Sequence, residues 1–261
     1  MNILFKEQPE AHQRLLPLTY TRPIADLRVG ILTISEKWQK HLNVSSVGFQ
    51  TATYLQEKYQ TQATDSETIW VIDGALPNPD LVASVKNLDA GQVLTSDNRL
   101  LVARGKDDPT TQPDQYEKIA IENGVSIVSR TWDLFRLNGQ EIKQDFHLLT
   151  HGRKSAPITD PHTIVYGKEN IFLEEGATVR AAVLNAENGP IYLGRESEVQ
   201  EGALIRGPFA MGDHSIVAMG AKLRGDTSAG PYCKMGGEIS NSIFWGYSNK
   251  GHDGFLGNSV I

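Results

Sequence analysis

His147 and His151 stand four residues apart, the spacing that puts two imidazoles on one face of a helix where they can share a metal. Asp145 is close by, but the segment DFHLLTHGR offers no third ligand at a workable spacing, so no metal site is expected there. Cys233 is the only cysteine, which excludes an internal disulfide. No activating partner is evident beside it, so the thiol is expected to pack or to line a turn rather than act as a nucleophile. Arg206, in LIRGPF, is either an anion contact or a solvated arginine. Phe244, Trp245, Tyr247 and Phe255 form an aromatic cluster that breaks the surrounding rhythm and predicts a protruding loop. Such a loop is a wall for a sugar or nucleotide, a subunit contact, or simply a packed loop.

The element that must carry these C-terminal residues has a period of six. Leu193, Val199, Ile205, Met211, Val217, Leu223, Ala229 and Met235 are apolar or small, each six residues after the last, with glycine at 194, 212, 230 and 236. Val165, Ile171, Ala177 and Val183 keep the same period before a shift of phase. Helices repeat at 3.6 residues and strands at 2, so neither accounts for six. A hexapeptide β-helix does, with three hexads closing one triangular coil. Leu193, Met211 and Ala229 then stack inward on one another, and the glycines serve turns that need positive φ or close backbone approach.

Composition bounds the rest. A length of 261 residues suits two domains. A net charge of -6 argues against a nucleic-acid binder that lives on phosphate contacts. No stretch resembles a signal peptide or a membrane span, and with one cysteine the expectation is a reducing, cytoplasmic setting.

Before the hexads, strands alternate with helices, which indicates an α/β domain. Strands are expected at Met1 to Phe5, Thr68 to Ile72 and Val125 to Val128, and a hairpin around Asp97-Asn98 joins Val93-Leu94 to Leu100 to Ala103. Helices are expected at Ile31 to Leu42, Pro79 to Leu88 and Thr131 to Leu137. The domains implied are 1–143 (α/β), 144–163 (connector) and 164–261 (β-helix).

Residues 14 to 34, RLLPLTYTRPIADLRVGILTI, carry a first resemblance. They resemble the start of sugar-1-phosphate nucleotidyltransferases, a Rossmann-like family with R-L-x-P-L-T after its first strand. The resemblance implies phosphate or nucleotide contacts from Arg14, Thr19 and Arg22, and from Asp73-Gly74 at the end of VIDG, with Asp73 holding Mg²⁺ if the domain transfers nucleotides. The chain departs from the family in one large respect. The glycine-rich loop whose amides cradle phosphates is replaced by KEQPEAHQR, which has no glycine. Arginines can serve as anion partners in its place; the other reading is a retired domain with solvated arginines and a turn aspartate.

Residues 238 to 261, EISNSIFWGYSNKGHDGFLGNSVI, carry a second resemblance. They look like the acyltransferase β-helix of the bifunctional N-acetylglucosamine-1-phosphate uridylyltransferase–glucosamine-1-phosphate acetyltransferase family, which has H-x-x-(Tyr/Phe)-L-G-(Asp/Asn). His252, Phe255, Leu256, Gly257 and Asn258 match. This implies a left-handed β-helix, His252 as the base that deprotonates a sugar amine, and acetyl-CoA or another acyl-CoA as co-substrate. Lys222, Arg224, Tyr247, Asn249, Lys250, Phe255 and Asn258 are the implied substrate contacts. Phe255 lacks the tyrosine hydroxyl, and Ser240 stands where the family has a phosphate-binding lysine. Ile261 falls where another coil is due, and in the family further coils help build the acyl-CoA site, so the chain is expected to be a fragment or to have its edge covered.

The combined expectation is a nucleotide-sugar transferase that acylates an amino-sugar phosphate or nucleotide sugar. The alternatives are an active nucleotidyltransferase on a β-helix scaffold, and a non-catalytic sugar-nucleotide-binding module. In each case the resemblance implies a homotrimer, with no nucleic-acid or membrane partner.

Overall fold

The computed structural model of the chain describes residues 2–61, 67–122 and 124–261. Two compact units emerge: Met1–Leu27 with Thr33–Asp133, and Arg28–Leu32 with Leu134–Ile261.

The first unit is built on a mixed sheet. Its strands are β1 (Asn2–Lys6), β2 (Val47–Gln50), β3 (Thr68–Ile72), β4 (Gln92–Ser96), β5 (Arg99–Gly105) and β6 (Glu117–Ala120), in the order β2-β1-β3-β5-β4-β6. β1 runs parallel to β2 and β3, while β5 is antiparallel to both β3 and β4. TIWVI is buried at every position, as expected for a central strand, and β1 falls where the sequence placed it, with Met1 outside the described residues. The β4–β5 hairpin turns at Asp97 and Asn98, both at positive φ (48° and 62°).

Among its described residues this unit carries the α-helices α1 (Pro9–Arg14), α2 (Ile34–Leu42) and α3 (Pro79–Lys86). α2 starts three residues later than its apolar spacing suggests, because Thr33 caps it. The Thr33 hydroxyl accepts from Glu36 N and the Glu36 carboxylate accepts from Thr33 N, a capping box. Ile34 and Trp38 supply its fully buried face. The strand expected at Val125 to Val128 reduces to a single bridge, Ala75 with Ile127. The edge strands β2 and β6 were not anticipated; their half-buried residues lack clean alternation.

The second unit is a parallel β-solenoid of about five coils. Its three faces are sheets of six, five and five strands. All eight hexad positions from Leu193 to Met235 are buried in one core. In the register, Leu173 pairs with Leu193, Leu193 with Met211, Met211 with Ala229, and Ala229 with Phe244. The coil is therefore twenty residues long at first, eighteen in the middle and fifteen at the end, which explains why a strict six-residue count drifts out of phase at either side. The middle coils justify their glycines by close approach. A Cβ on Gly194 would lie 2.6 Å from the Gly212 carbonyl carbon, and one on Gly212 would lie 2.7 Å from that of Gly230.

Two expectations are corrected here. The aromatic cluster is not a protruding loop: Phe244 is a fully buried core residue on the strand Ile243–Phe244, and the chain continues the coil through it. Only Tyr247 and Phe255 project, at 80% and 65% exposed. Second, the helix expected at 131–137 is α4, Thr131–Thr150, which takes in the first part of the anticipated connector. Its length follows from what it covers. Ile142 and Phe146, with Ile31, pack on Phe172, Tyr192 and Ala210, the outward residues of one solenoid face.

Buried polar groups on α4 fix the short segment Arg28–Leu32. Asn138 Oδ1 accepts from Gly30 N at 2.8 Å and from Ser228 Oγ at 2.9 Å. Asp145 Oδ2 accepts from Ile31 N and Leu32 N at 2.8 and 3.1 Å. Asp145 is thus a backbone anchor. Among the described residues no three His, Cys, Asp or Glu side chains are grouped to hold a metal.

Candidate functional site

Asp73 follows directly on β3, whose register with β1 sets Ile72 beside Lys6. Asp73 takes φ +46° and Gly74 takes φ +74°, so the chain turns sharply as it leaves the sheet. The turn is held from three sides. Trp38 Nε1 on α2 donates to Ala75 O at 2.8 Å, Leu76 N donates to Ser126 O, and Val128 N donates to Gly74 O. Gly74 has no room for a side chain, since a Cβ there would come within 2.8 Å of Ile24 Cγ2.

The turn delivers Asp73 into a cavity of about 440 Å³ within the first unit, lined in part by Gln8, Arg14, Arg99, Thr110 and Arg130. Both Asp73 oxygens are occupied by one residue. Gln8 N donates to Oδ1 and Gln8 Nε2 donates to Oδ2, each at 2.7 Å. Burial pushes the Asp73 carboxyl above the ordinary carboxylate range, outweighing the Gln8 hydrogen bonds and the Arg14 charge, which pull it down. On the strand beside the turn, Lys6 pairs with Asp108 at 2.9 Å, and Asp108 accepts from N and Oγ1 of the cavity-lining Thr110 at 2.8 and 2.6 Å. Burial raises the Asp108 carboxyl, but the bonds from Thr110 and Lys6 outweigh it and hold it below its usual value.

The segment KEQPEAHQR, where the compared family has a glycine-rich loop, is largely helix α1 here. Glu7 braces it. Its carboxylate accepts from His12 Nδ1 at 2.9 Å, from Thr51 Oγ1 and from Ile24 N at 2.8 Å. His12 Nε2 meets Tyr54 OH at 2.9 Å, and Thr19 Oγ1 donates to His12 O at 2.8 Å. Thr19 is fully buried and serves this brace, not the cavity. Arg22 faces Asp26 at 4.0 Å, away from the cavity lining. Of the residues singled out in the sequence for phosphate contact, the structure therefore gathers Arg14 and Asp73, with Gly74 shaping the turn.

It adds Gln8, Arg99 and Arg130. Arg99 follows the Asp97-Asn98 turn, a hairpin legible in the sequence whose tip could have been marked as site-forming. Arg130 precedes α4, where Ser129 N, Ser129 Oγ and Arg130 N all donate to Asp133 Oδ2 (3.0, 3.1 and 2.8 Å). Three guanidiniums against one carboxylate give the lining a net positive charge suited to a polyanion.

In the second unit the other candidates separate. Lys222, Arg224 and Arg206 line an open depression of about 740 Å³ on the six-stranded face, with Tyr166, Leu204 and Ser240. Arg224 is paired with Glu238 at 2.6 Å. His252, Tyr247, Asn249, Lys250, Phe255 and Asn258 lie outside that lining. His252 is exposed on the turn after the strand Asn249–Lys250. Its carbonyl accepts from Lys250 Nζ at 2.7 Å, and Lys250 Nζ also reaches Gly236 O at 2.8 Å. Among the described residues no side chain bonds the His252 imidazole, Asp253 included. Asn258 Oδ1 accepts from Asn241 Nδ2 at 2.7 Å across neighbouring corners. Cys233 is buried, and burial raises its thiol.

No helix among the described residues is long and apolar enough to cross a membrane. No curated protein matches the chain. A family model described as sugar nucleotidyl transferase matches residues 3–154, more than half of the 261. That match opens on β1 and closes beyond α4, so every residue lining the Asp73 cavity falls inside it. The chain belongs to the sugar nucleotidyl transferase family.

Proposed function

We propose that the first unit joins a nucleoside triphosphate to a sugar 1-phosphate. A phosphate oxygen of the sugar attacks the α-phosphorus, the bond to the β-phosphate oxygen breaks, and pyrophosphate leaves as the nucleotide sugar forms. The observation that carries this reading is the cavity itself: one strand-end carboxylate, Asp73, faces three arginines, Arg14, Arg99 and Arg130. Guanidiniums grip phosphate oxygens two at a time, so they replace the missing amide cradle chemically. The donor set also fits Mg²⁺, which is held in such sites by one or two carboxylates while phosphates and waters complete its shell. Asp73 would hold it, with Gln8 keeping the carboxylate aimed into the cavity. The bound ion would neutralise charge on the phosphoryl oxygens.

The test is pyrophosphate release from UTP or dTTP with a panel of sugar 1-phosphates. Release that needs both the sugar phosphate and Mg²⁺ is the expected result. Binding of nucleotide sugars with no release from any pair would overturn catalysis and leave a binding module.

A second reading keeps the resemblance to the bifunctional uridylyltransferase–acetyltransferase. The solenoid would then acylate an amino-sugar phosphate from acetyl-CoA. The His252 imidazole takes the amine proton as nitrogen attacks the thioester carbonyl and the thiolate leaves. The basic depression of Arg206, Lys222 and Arg224 supports it as a phosphate contact. So does the period-six core, which in that family packs as a trimer. His252→Ala should abolish CoA release if this reading holds.

A further inference from the structure

Two hydroxyls line the Asp73 cavity with their protons already committed. Thr110 Oγ1 donates to Asp108 Oδ1 at 2.6 Å, and Ser129 Oγ donates to Asp133 Oδ2 at 3.1 Å. A carboxylate only accepts, so in each pair the hydroxyl must give its proton. Both residues are also fixed through their backbones. Thr110 N donates to the same Asp108 oxygen at 2.8 Å, and Ser129 N donates to the same Asp133 oxygen at 3.0 Å. Lys6, 2.9 Å from Asp108, favours the charged form of that carboxylate. Both residues are half-buried, and among the described residues neither hydroxyl oxygen accepts a hydrogen bond. What each oxygen has left for a ligand is lone pairs.

Lone pairs do not suit phosphate. Phosphate oxygens bring lone pairs of their own and need donors, which Arg14, Arg99 and Arg130 supply without offering any acceptor. A sugar hydroxyl is the complementary group, because it has a proton to give. The lining thus contains two kinds of polar group, and the reactants of the proposed transfer divide the same way, into phosphate and polyol.

We infer that Thr110 and Ser129 accept hydrogen bonds from sugar-ring hydroxyls of the substrates, selecting their polyol part while the arginines hold the phosphates. The inference rests on the nucleotidyl-transfer reading of this cavity. It adds the residues that tell a sugar phosphate from a bare polyphosphate. A site built to bond a hydroxyl rejects a ligand that lacks one, because its own polar groups are then left unpaired. The same acceptors suit the glycosyl ring of a sugar 1-phosphate or the ribose of a nucleotide.

The test is calorimetric titration of the whole chain, in the presence of Mg²⁺, with pyrophosphate, glucose 1-phosphate and ribose 5-phosphate. None of the three carries a base, and pyrophosphate carries no ring hydroxyl. Thr110→Val and Ser129→Ala each remove one oxygen. Each is expected to weaken a sugar phosphate about threefold or more, and the double variant about tenfold or more, with pyrophosphate held within about twofold, as for loss of one and two hydrogen bonds. Thr110→Ser and Ser129→Thr keep the hydroxyls and are expected to bind as the unaltered chain does. Loss confined to glucose 1-phosphate supports the glycosyl ring as source, and loss confined to ribose 5-phosphate supports the ribose. Loss with both supports acceptance from either ring. Sugar phosphates bound unchanged by the double variant, or pyrophosphate weakened as much as they are, overturns the inference. Pyrophosphate bound by the unaltered chain with neither sugar phosphate bound also overturns it and leaves the anion site standing. No binding of pyrophosphate overturns the anion reading beneath it as well.

Discussion

Gln8 closes on Asp73 with two hydrogen bonds of equal length, one from its backbone N–H to Oδ1 and one from its side chain to Oδ2, each 2.7 Å. A backbone amide that the compared family would turn toward phosphate is here turned toward a carboxylate. Gln8→Ala removes the side-chain bond only. The carboxylate loses its fixed orientation, and half-maximal Mg²⁺ for pyrophosphate release is expected to rise severalfold. Glutamine restored by asparagine, one methylene shorter, is not expected to rescue it.

Asp73 binds its proton more tightly folded than unfolded, because burial lifts its pKa. Its contribution to stability is therefore fully present below the ordinary value of 3.8 and is lost as pH rises through the lifted value. Asp73→Asn, which suits φ +46°, is accordingly expected to melt higher than the unaltered chain at neutral pH while losing all Mg²⁺-dependent turnover. Melting curves across pH 4 to 7 check this, the gap narrowing toward acid.

Arg14, Arg99 and Arg130 line one cavity, and on the proposed reading they divide the work of a phosphate cradle. Alanine at any one is expected to weaken nucleoside triphosphate binding about tenfold or more, the usual consequence of losing a hydrogen bond to a charged group. Each is also expected to flatten the salt dependence of binding, measured between low and physiological ionic strength.

Glu174 behaves oppositely to Asp73. Burial pushes it up, but bonds from Arg153 and Tyr192 (2.6 and 2.7 Å) outweigh that and hold it low. Its stabilisation is present above the ordinary value of 4.5 and is lost as pH falls through the depressed one. Glu174→Gln is expected to lower the melting point at pH 7, and the difference is expected to shrink under acid.

Gly212→Ala inserts a methyl 2.7 Å from the Gly230 carbonyl carbon, between two backbones with no flexible side chain to yield. A loss of about 1–3 kcal/mol is expected, as for other overpacked sites, read from the urea midpoint. Nucleotide binding in the first unit is expected to stay as it was.

The solenoid was legible because its geometry writes itself into every sixth residue: Leu193 to Met235 have no other reason to keep step. Asp73 was legible because a strand running into Asp-Gly announces its own end. The arginine set was only partly so. Arg14 lies in a motif, whereas Arg99 and Arg130 reach the cavity by way of a hairpin tip and a helix entry, and nothing in their neighbours tells them from solvated arginines. α4 was cut short for a related reason. Asn138 and Asp145 are buried but hydrogen-bonded to backbone, and polar residues in such positions read as surface. Phe244 was misplaced because the last coil shortens to fifteen residues, so its aromatic falls out of phase while still pointing inward.

α4 touches Phe172, Tyr192 and Ala210, and its Asn138 reaches Ser228, so a single helix contacts four successive coils. A solenoid without such a helix behaves as a row of nearest neighbours that can fray from either end. Here the helix acts as a lengthwise splint. To loosen one coil is to lift α4 from the others, so those four rungs are expected to protect their amide hydrogens together and to exchange them at a single rate, as one cooperative block.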